Sequence, residues 1–203
     1  MQEKIILFGN GSYYSIAVLD NLLERGITPV AIALPEYPPS KRNGSIKFEI
    51  EQAVLENKLV ETARRLSIPL IYAPKPLSDS LPEKLLVFKA DYILVACWPY
   101  LLAPAVNDSI SRAAFNLHPS LLPKYPGATP VIDQLARKET SLGVTLHLLS
   151  QEYDCGEIVA QAGFALENGL GGRRQIEAQA ALTGTALFVK AIRKKQGRVV
   201  SHH

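Results

Sequence analysis

Lys4-Ile-Ile-Leu-Phe-Gly-Asn-Gly-Ser12 is a short apolar run that stops at a tight glycine turn. Behind it, Ile16, Leu19, Leu22 and Leu23 are spaced to form one buried helical stripe. Gly26 stands where that helix should stop, and Ile27–Leu34 is a second apolar run. Strand, glycine turn, helix, strand is how a parallel α/β sheet begins.

The pattern continues outward from this unit. Pro35 to Gly44 is a Pro-rich polar loop holding Lys41 and Arg42. A helix is expected from about Phe48 to Leu66, and a strand over Ile68–Tyr72. Ser78 to Lys89 reads as a helix capped by Ser78 or Ser80, with Pro82 in its first turn. Asp91–Ala96 is a fourth strand, Pro104–Ser111 a short helix, and Ala113–Leu117 a fifth strand. Val131–Arg137 should be helical. Gly143–Leu149 alternates like a strand, and Glu157–Ala165 is another; joined across Asp154-Cys155-Gly156, they extend the sheet. A last helix runs from about Arg174 to Lys195. The expected fold is a doubly wound, mostly parallel α/β sheet, one domain over residues 1–203. Ser201-His202-His203 is set aside as a tail or tag.

Composition narrows the function classes. The chain of 203 residues is 47% hydrophobic and 20% charged, which suits a globular core and excludes a disordered chain. A net charge of +3 is too small for a dedicated nucleic-acid binder, although it would favour an anionic substrate. Cys97 and Cys155 are isolated thiols with neither zinc nor redox spacing, so no metal site is expected. The N-terminus lacks the pattern of a signal peptide, and no apolar run reaches the ~18 residues of a membrane span. The expected compartment is the cytoplasm.

Open α/β sheets bind ligands at the carboxyl ends of their strands. The turn Gly9-Asn10-Gly11-Ser12 follows strand one and opens a helix, so its N–H groups could receive an anion. It lacks the Lys-Ser/Thr of a P-loop and the third glycine of a dinucleotide fingerprint, so a plain βα turn reads equally well. Asn116 and His118 end strand five, two residues apart and therefore on one face. An amide can donate to a developing oxyanion, and an imidazole can carry or release a proton near neutral pH. Asp154 could orient that imidazole and favour its charged form. Alone, His118 reads equally as a structural histidine, and Pro119–Pro123 as a rigid turn. Ser120 lacks the glycine frame of a nucleophile elbow, which argues against a Ser/His/Asp hydrolase.

In combination these residues decide the matter. Phe115-Asn-Leu-His118-Pro-Ser-Leu-Leu-Pro-Lys-Tyr-Pro-Gly127, then Gly143-Val-Thr-Leu-His147, then Asp154-Cys-Gly156 resembles the folate-dependent formyltransferases. The resemblance spans about residues 4 to 195 and is specific from 115 to 160. It implies transfer of a formyl group from 10-formyltetrahydrofolate to a primary amine. It implies that Asn116 and His118 bind and polarise the formyl oxygen, and that Asp154 holds His118 charged and helps take a proton from the amine. It also implies that Thr145 orders water near the aspartate, with Ser120 as supporting turn structure. The folate would lie against Val95, Ala96, Cys97, Trp98, Pro99, Tyr100 and Leu102, and against Gln151, Glu152 and Tyr153. The acceptor would meet Gly9, Asn10, Gly11 and Ser12. His147 would pack or support rather than catalyse.

Several branches of the family stay open. Gly9–Ser12 suits the purine branch that formylates phosphoribosylglycinamide, but Tyr13, Cys97 and Tyr100 depart from its pattern. Gly127-Ala-Thr-Pro130 suits the methionyl-tRNA branch, whose usual tRNA-gripping domain finds no residues here; tRNA is not the expected partner. Asn116-Leu-His118 and Gly143–His147 are shared with the sugar-nucleotide branch. The expectation is a small amine, phosphorylated or sugar-linked. A 10-formyltetrahydrofolate hydrolase and a folate binder without turnover are the alternatives of another class, and an oligomer is left open.

Overall fold

The structure, a computed structural model, describes residues 3–36, 58–73, 80–102, 104–166 and 172–196. Most of the Pro35–Gly44 loop, the start of the helix expected from Phe48, Ser78 and the C-terminal tail lie outside the described residues.

Strands β1 (Ile5–Gly9), β2 (Ala31–Pro35), β3 (Leu70–Ala73), β4 (Tyr92–Ala96), β5 (Ala113–His118), β6 (Gly143–Leu148) and β7 (Ile158–Gly163) form one sheet. Their order is β3-β2-β1-β4-β5-β6-β7. The pairs from β3 across to β5 are parallel, while β6 and β7 join antiparallel. The short connection Leu149–Glu157 accounts for the β6–β7 direction, because a parallel partner needs a long crossover. Two strands are shorter than the apolar runs suggest. Pro29 and Pro69 precede β2 and β3, and proline has no N–H to give to a ladder.

Helix α1 (Tyr13–Glu24) follows β1. The Ser12 Oγ accepts from Ser15 N at 3.3 Å and caps it. At its other end Gly26 sits at φ +71°, its N–H on Leu23 O, while Ile27 N–H reaches Leu22 O. This is a Schellman stop, which asks for glycine at that position. Helix α2 covers residues 58–65, and α3 (Leu81–Leu86), α4 (Pro104–Asp108), α5 (Pro130–Ala136) and α6 (Arg173–Gln196) complete the chain.

Side chains alternate across the sheet and build two cores. Leu7, Leu94, Phe115, Leu117 and Leu146 pack with α1, α2 and α6 on one face. Ile6, Phe8, Ile93 and Val95 pack with α3 and α4 on the other. Phe188 of α6 meets Phe115 edge-on at 5.7 Å between ring centroids, which seats the long helix directly beneath β5. The strand order turns between β1 and β4, so a crevice opens at their carboxyl ends.

Candidate active site

Register brings four polar residues onto one patch. In the antiparallel β5–β6 ladder Asn116 lies opposite His147, and His118 opposite Thr145. The intervening Leu117 and Leu146 face the other way, into the core beneath α6. The polar patch is thus backed by a packed layer, with His118 only 4% and His147 2% exposed.

Asp154 reaches this patch from the turn between β6 and β7. Its backbone is left-handed (φ +55°), which few non-glycine residues adopt. Two residues on, a Cβ at Gly156 would stand 1.7 Å from the Leu148 carbonyl oxygen. The turn can close so tightly against β6 only with glycine there. The Asp154 carboxylate is then fixed by its neighbours. Oδ2 accepts from Gly127 N at 2.7 Å. Oδ1 lies 3.3 Å from Asn116 Nδ2, 3.4 Å from His118 Nδ1 and 3.5 Å from His147 Nε2.

The partners settle the proton positions. His118 Nε2 is 2.7 Å from the Tyr125 carbonyl, which can only accept, so Nε2 carries the hydrogen. In the neutral ring Nδ1 is then bare and faces Asp154. His147 Nδ1 lies 2.8 Å from Leu148 O, and its Nε2 lies 3.0 Å from Asn116 Nδ2, within reach of Asp154 as well. Asn116 Nδ2, His147 Nε2 and Asp154 Oδ1 form a nearly equilateral triangle with sides of 3.0, 3.3 and 3.5 Å. Asn116 also lines the cleft, where a ligand carbonyl could compete for one of its two amide hydrogens.

Charge follows from this geometry. Burial pushes His118 below its ordinary 6.5; Asp154 and the Tyr125 carbonyl pull it back and His147 opposes them, and the net shift is down. Desolvation thus outweighs the carboxylate, which favours the neutral ring in the free protein. Burial raises Asp154, but His147, His118 and the Gly127 N–H together outweigh it and leave the carboxyl below its ordinary 3.8. Asp154 is an anion.

Thr145 is held differently from what the resemblance implies. Its hydroxyl donates to Ser120 O at 2.7 Å and accepts from Leu122 N at 3.0 Å and Gln161 Nε2 at 2.9 Å. One donor and two lone pairs are all a hydroxyl has, so none is left to order water. Thr145 ties down the 119–127 loop instead. Ser120 does the same from within, donating to Lys124 O at 2.7 Å while fully buried, which removes it as a nucleophile.

A cleft of about 480 Å³ opens over the patch. Val95, Cys97, Trp98, Pro99, Tyr100 and Leu102 line it from the end of β4, and Glu152, Tyr153 and Asp154 from the later turn. Ala96 does not: strand alternation turns it into the core packed on α1. Gln151 is exposed and lies outside the lining. Of the glycine turn only Asn10 faces the cleft; Gly9, Gly11 and Ser12 do not. The Ser12 N–H is already held by Asn10 Oδ1 at 3.0 Å. Trp98 stacks edge-on with Phe8 at 4.9 Å, and its Nε1 has no hydrogen-bond partner among the described residues. The apolar, aromatic wall suits a flat ring.

The model of the formyl transferase family matches residues 3–192. The chain belongs to this family. Among curated formyl transferases, the methionyl-tRNA formyltransferase of Listeria monocytogenes serotype 4a (strain HCC23) is 28% identical over 158 residues, 78% of this chain and 47% of that one. The chain thus spans about half the length of the curated relatives it matches. Among solved structures, phosphoribosylglycinamide formyltransferase from Bacillus halodurans superposes with a TM-score of 0.69 at 18% identity, covering 97% of this chain and 96% of that one. A formyltetrahydrofolate deformylase from Pseudomonas syringae pv. tomato str. DC3000 gives 0.70 at 16% identity, over 100% and 64%. At such identities the likeness is one of fold. The cleft also has residues that the sequence did not single out: Tyr14 of α1, and Arg173 and Glu177 of α6. Arg173 Nε donates to Glu177 Oε1 at 2.7 Å, an i, i+4 pair whose approach to the cleft depends on how α6 docks. Among the described residues no cluster of His, Cys, Asp and Glu could hold a metal, and no helix is long and apolar enough to cross a membrane.

Proposed function

We propose that this chain transfers a formyl group from 10-formyltetrahydrofolate to the primary amine of a small, anionic acceptor. One observation carries the reading: Asn116, His118 and Asp154, from separate segments, meet at the wall of a single cleft, with Asp154 Oδ1 within 3.4 Å of both other side chains. The folate supplies the formyl carbon, held against the aromatic wall at Trp98. An N–H of Asn116 donates to the formyl oxygen as charge develops there, and one such donor is worth about 3 kcal/mol. His118, neutral with a bare Nδ1, and Asp154, anionic beside it, take up the proton that the attacking amine must lose. The proton first rests between Nδ1 and Oδ1, where an imidazolium faces a carboxylate; it then passes to N10 of the folate as the C–N10 bond breaks, which releases tetrahydrofolate and restores the neutral ring.

The net charge of +3 supports an anionic acceptor. The cleft's size supports a small one, since about 300–1,000 Å³ is the range of small-molecule sites. The test is to incubate the protein with 10-formyltetrahydrofolate and a panel of phosphorylated and sugar-linked amines, following release of tetrahydrofolate. Amine-dependent release with a formylated product is expected. Release that ignores the amine would assign water as the acceptor and a hydrolase instead.

A further inference from the structure

The imidazole of His118 is governed from outside the cleft. Its Nε2–H is fixed by one acceptor, the Tyr125 carbonyl at 2.7 Å. Tyr125 itself sits at φ +56°, a region a bulky residue enters only when its surroundings hold it there. The holder is on the far side of the loop. The Tyr125 hydroxyl donates to Glu139 Oε2 at 3.0 Å, and Lys124 Nζ reaches the same oxygen at 3.3 Å. Glu139 Oε1 accepts from Thr140 N and Ser141 N, both at 3.0 Å, which locks the carboxylate to the end of α5. The Arg137 guanidinium lies 5.9 Å from the Tyr125 ring centroid and covers its outer face. These contacts keep Glu139 ionised, with its pKa lowered to about 2 by the Ser141 N–H first and the Tyr125 hydroxyl next. None of these groups lines the cleft.

We propose that Glu139 is a positioning residue. By holding the Tyr125 hydroxyl it presses the Tyr125 carbonyl onto His118 Nε2, and so fixes Nδ1 as the nitrogen that exchanges a proton in the cleft. Without the latch the Tyr125–Pro126 peptide relaxes, its carbonyl turns away, and the imidazole hydrogen distributes between both nitrogens. A ring with hydrogen on Nδ1 cannot accept a proton there. The kinetic part of this inference rests on the formyl-transfer reading; the tautomer part does not.

The test records ¹⁵N imidazole spectra of the wild type, Tyr125→Phe, Glu139→Ala and Glu139→Gln, with the His118 signals assigned by their loss in His118→Asn. In the wild type His118 should be the pure Nε2–H form when neutral. Tyr125→Phe and Glu139→Ala should show averaging between the two forms. In turnover, both should lower kcat by about tenfold with KM little changed, a small part of what a proton-transferring group supplies. The double variant should be no worse than either single one. Glu139→Gln, which keeps an acceptor for the hydroxyl, should retain most of the rate. An unchanged His118 spectrum in Tyr125→Phe and Glu139→Ala would overturn the proposal, as would a changed spectrum with an unchanged kcat. Because the spectra need no substrate, they decide the tautomer question even if the protein transfers no formyl group. Should Glu139→Ala fail to fold, Tyr125→Phe and Glu139→Gln carry the same comparison.

Discussion

His118 Nδ1 and Asp154 Oδ1 stand 3.4 Å apart, both largely buried, with the imidazole neutral and the carboxylate charged in the free protein. Both pKa values lie below their ordinary 6.5 and 3.8. The unfolded chain therefore binds more protons than the folded one once pH falls below those values. The stability each group contributes is present above its ordinary value and is lost as pH drops through the lowered one. Urea midpoints should begin to fall below pH 6.5 through His118, and fall again below 3.8 through Asp154. His118→Asn should remove the first phase and keep the second.

Gly156→Ala should displace the turn that carries Asp154, because its Cβ would meet the Leu148 oxygen at 1.7 Å. A loss of about 1–3 kcal/mol in stability is expected from such crowding. Activity should fall further than stability, since the carboxylate moves with the turn. Urea unfolding and turnover measured side by side check this.

Thr145→Val keeps the shape but removes the hydroxyl that holds Ser120 O, Leu122 N and Gln161. Leaving buried polar groups unpaired costs about 1–3 kcal/mol. Hydrogen exchange should show the 119–127 segment opening first, ahead of the β4 and β5 amides.

Asn116→Ala removes the amide assigned to the formyl oxygen. Turnover should drop roughly a hundredfold, as for other lost oxyanion donors. The affinity for the formyl donor should change little, because the pterin wall is elsewhere. Steady-state kinetics with donor titration separates the two.

Much of the fold was legible because the β1 turn and α1 carry their own punctuation. Ser12 caps and Gly26 stops the helix just where those residue types suggest. The pairing of Asn116 with His118 followed from strand parity, and the same parity should have excluded Ala96, whose neighbours Val95 and Cys97 face the cleft. What could not be read was anything set by distant packing. Glu177 and Arg173 reach the cleft because α6 crosses beneath β5, which no local pattern announces. The role of His147 depends on a ladder register that places it opposite Asn116. The protonation of His118 depends on burial, and burial is a property of the assembled molecule. The presence of Asp154 favours charge on the ring, and burial opposes it.

Asp154→Asn tests the account most directly. Asparagine tolerates the left-handed backbone at φ +55° and can still accept from Gly127 N, so the variant should fold and bind folate as before. It keeps the shape of the cleft and removes only the anion beside His118. Single-turnover formyl transfer should slow by about a hundredfold or more, the range of general acid–base catalysis. A folded Asp154→Asn protein that transfers formyl at close to the wild-type rate would contradict the convergence of amide, imidazole and carboxylate as the working site.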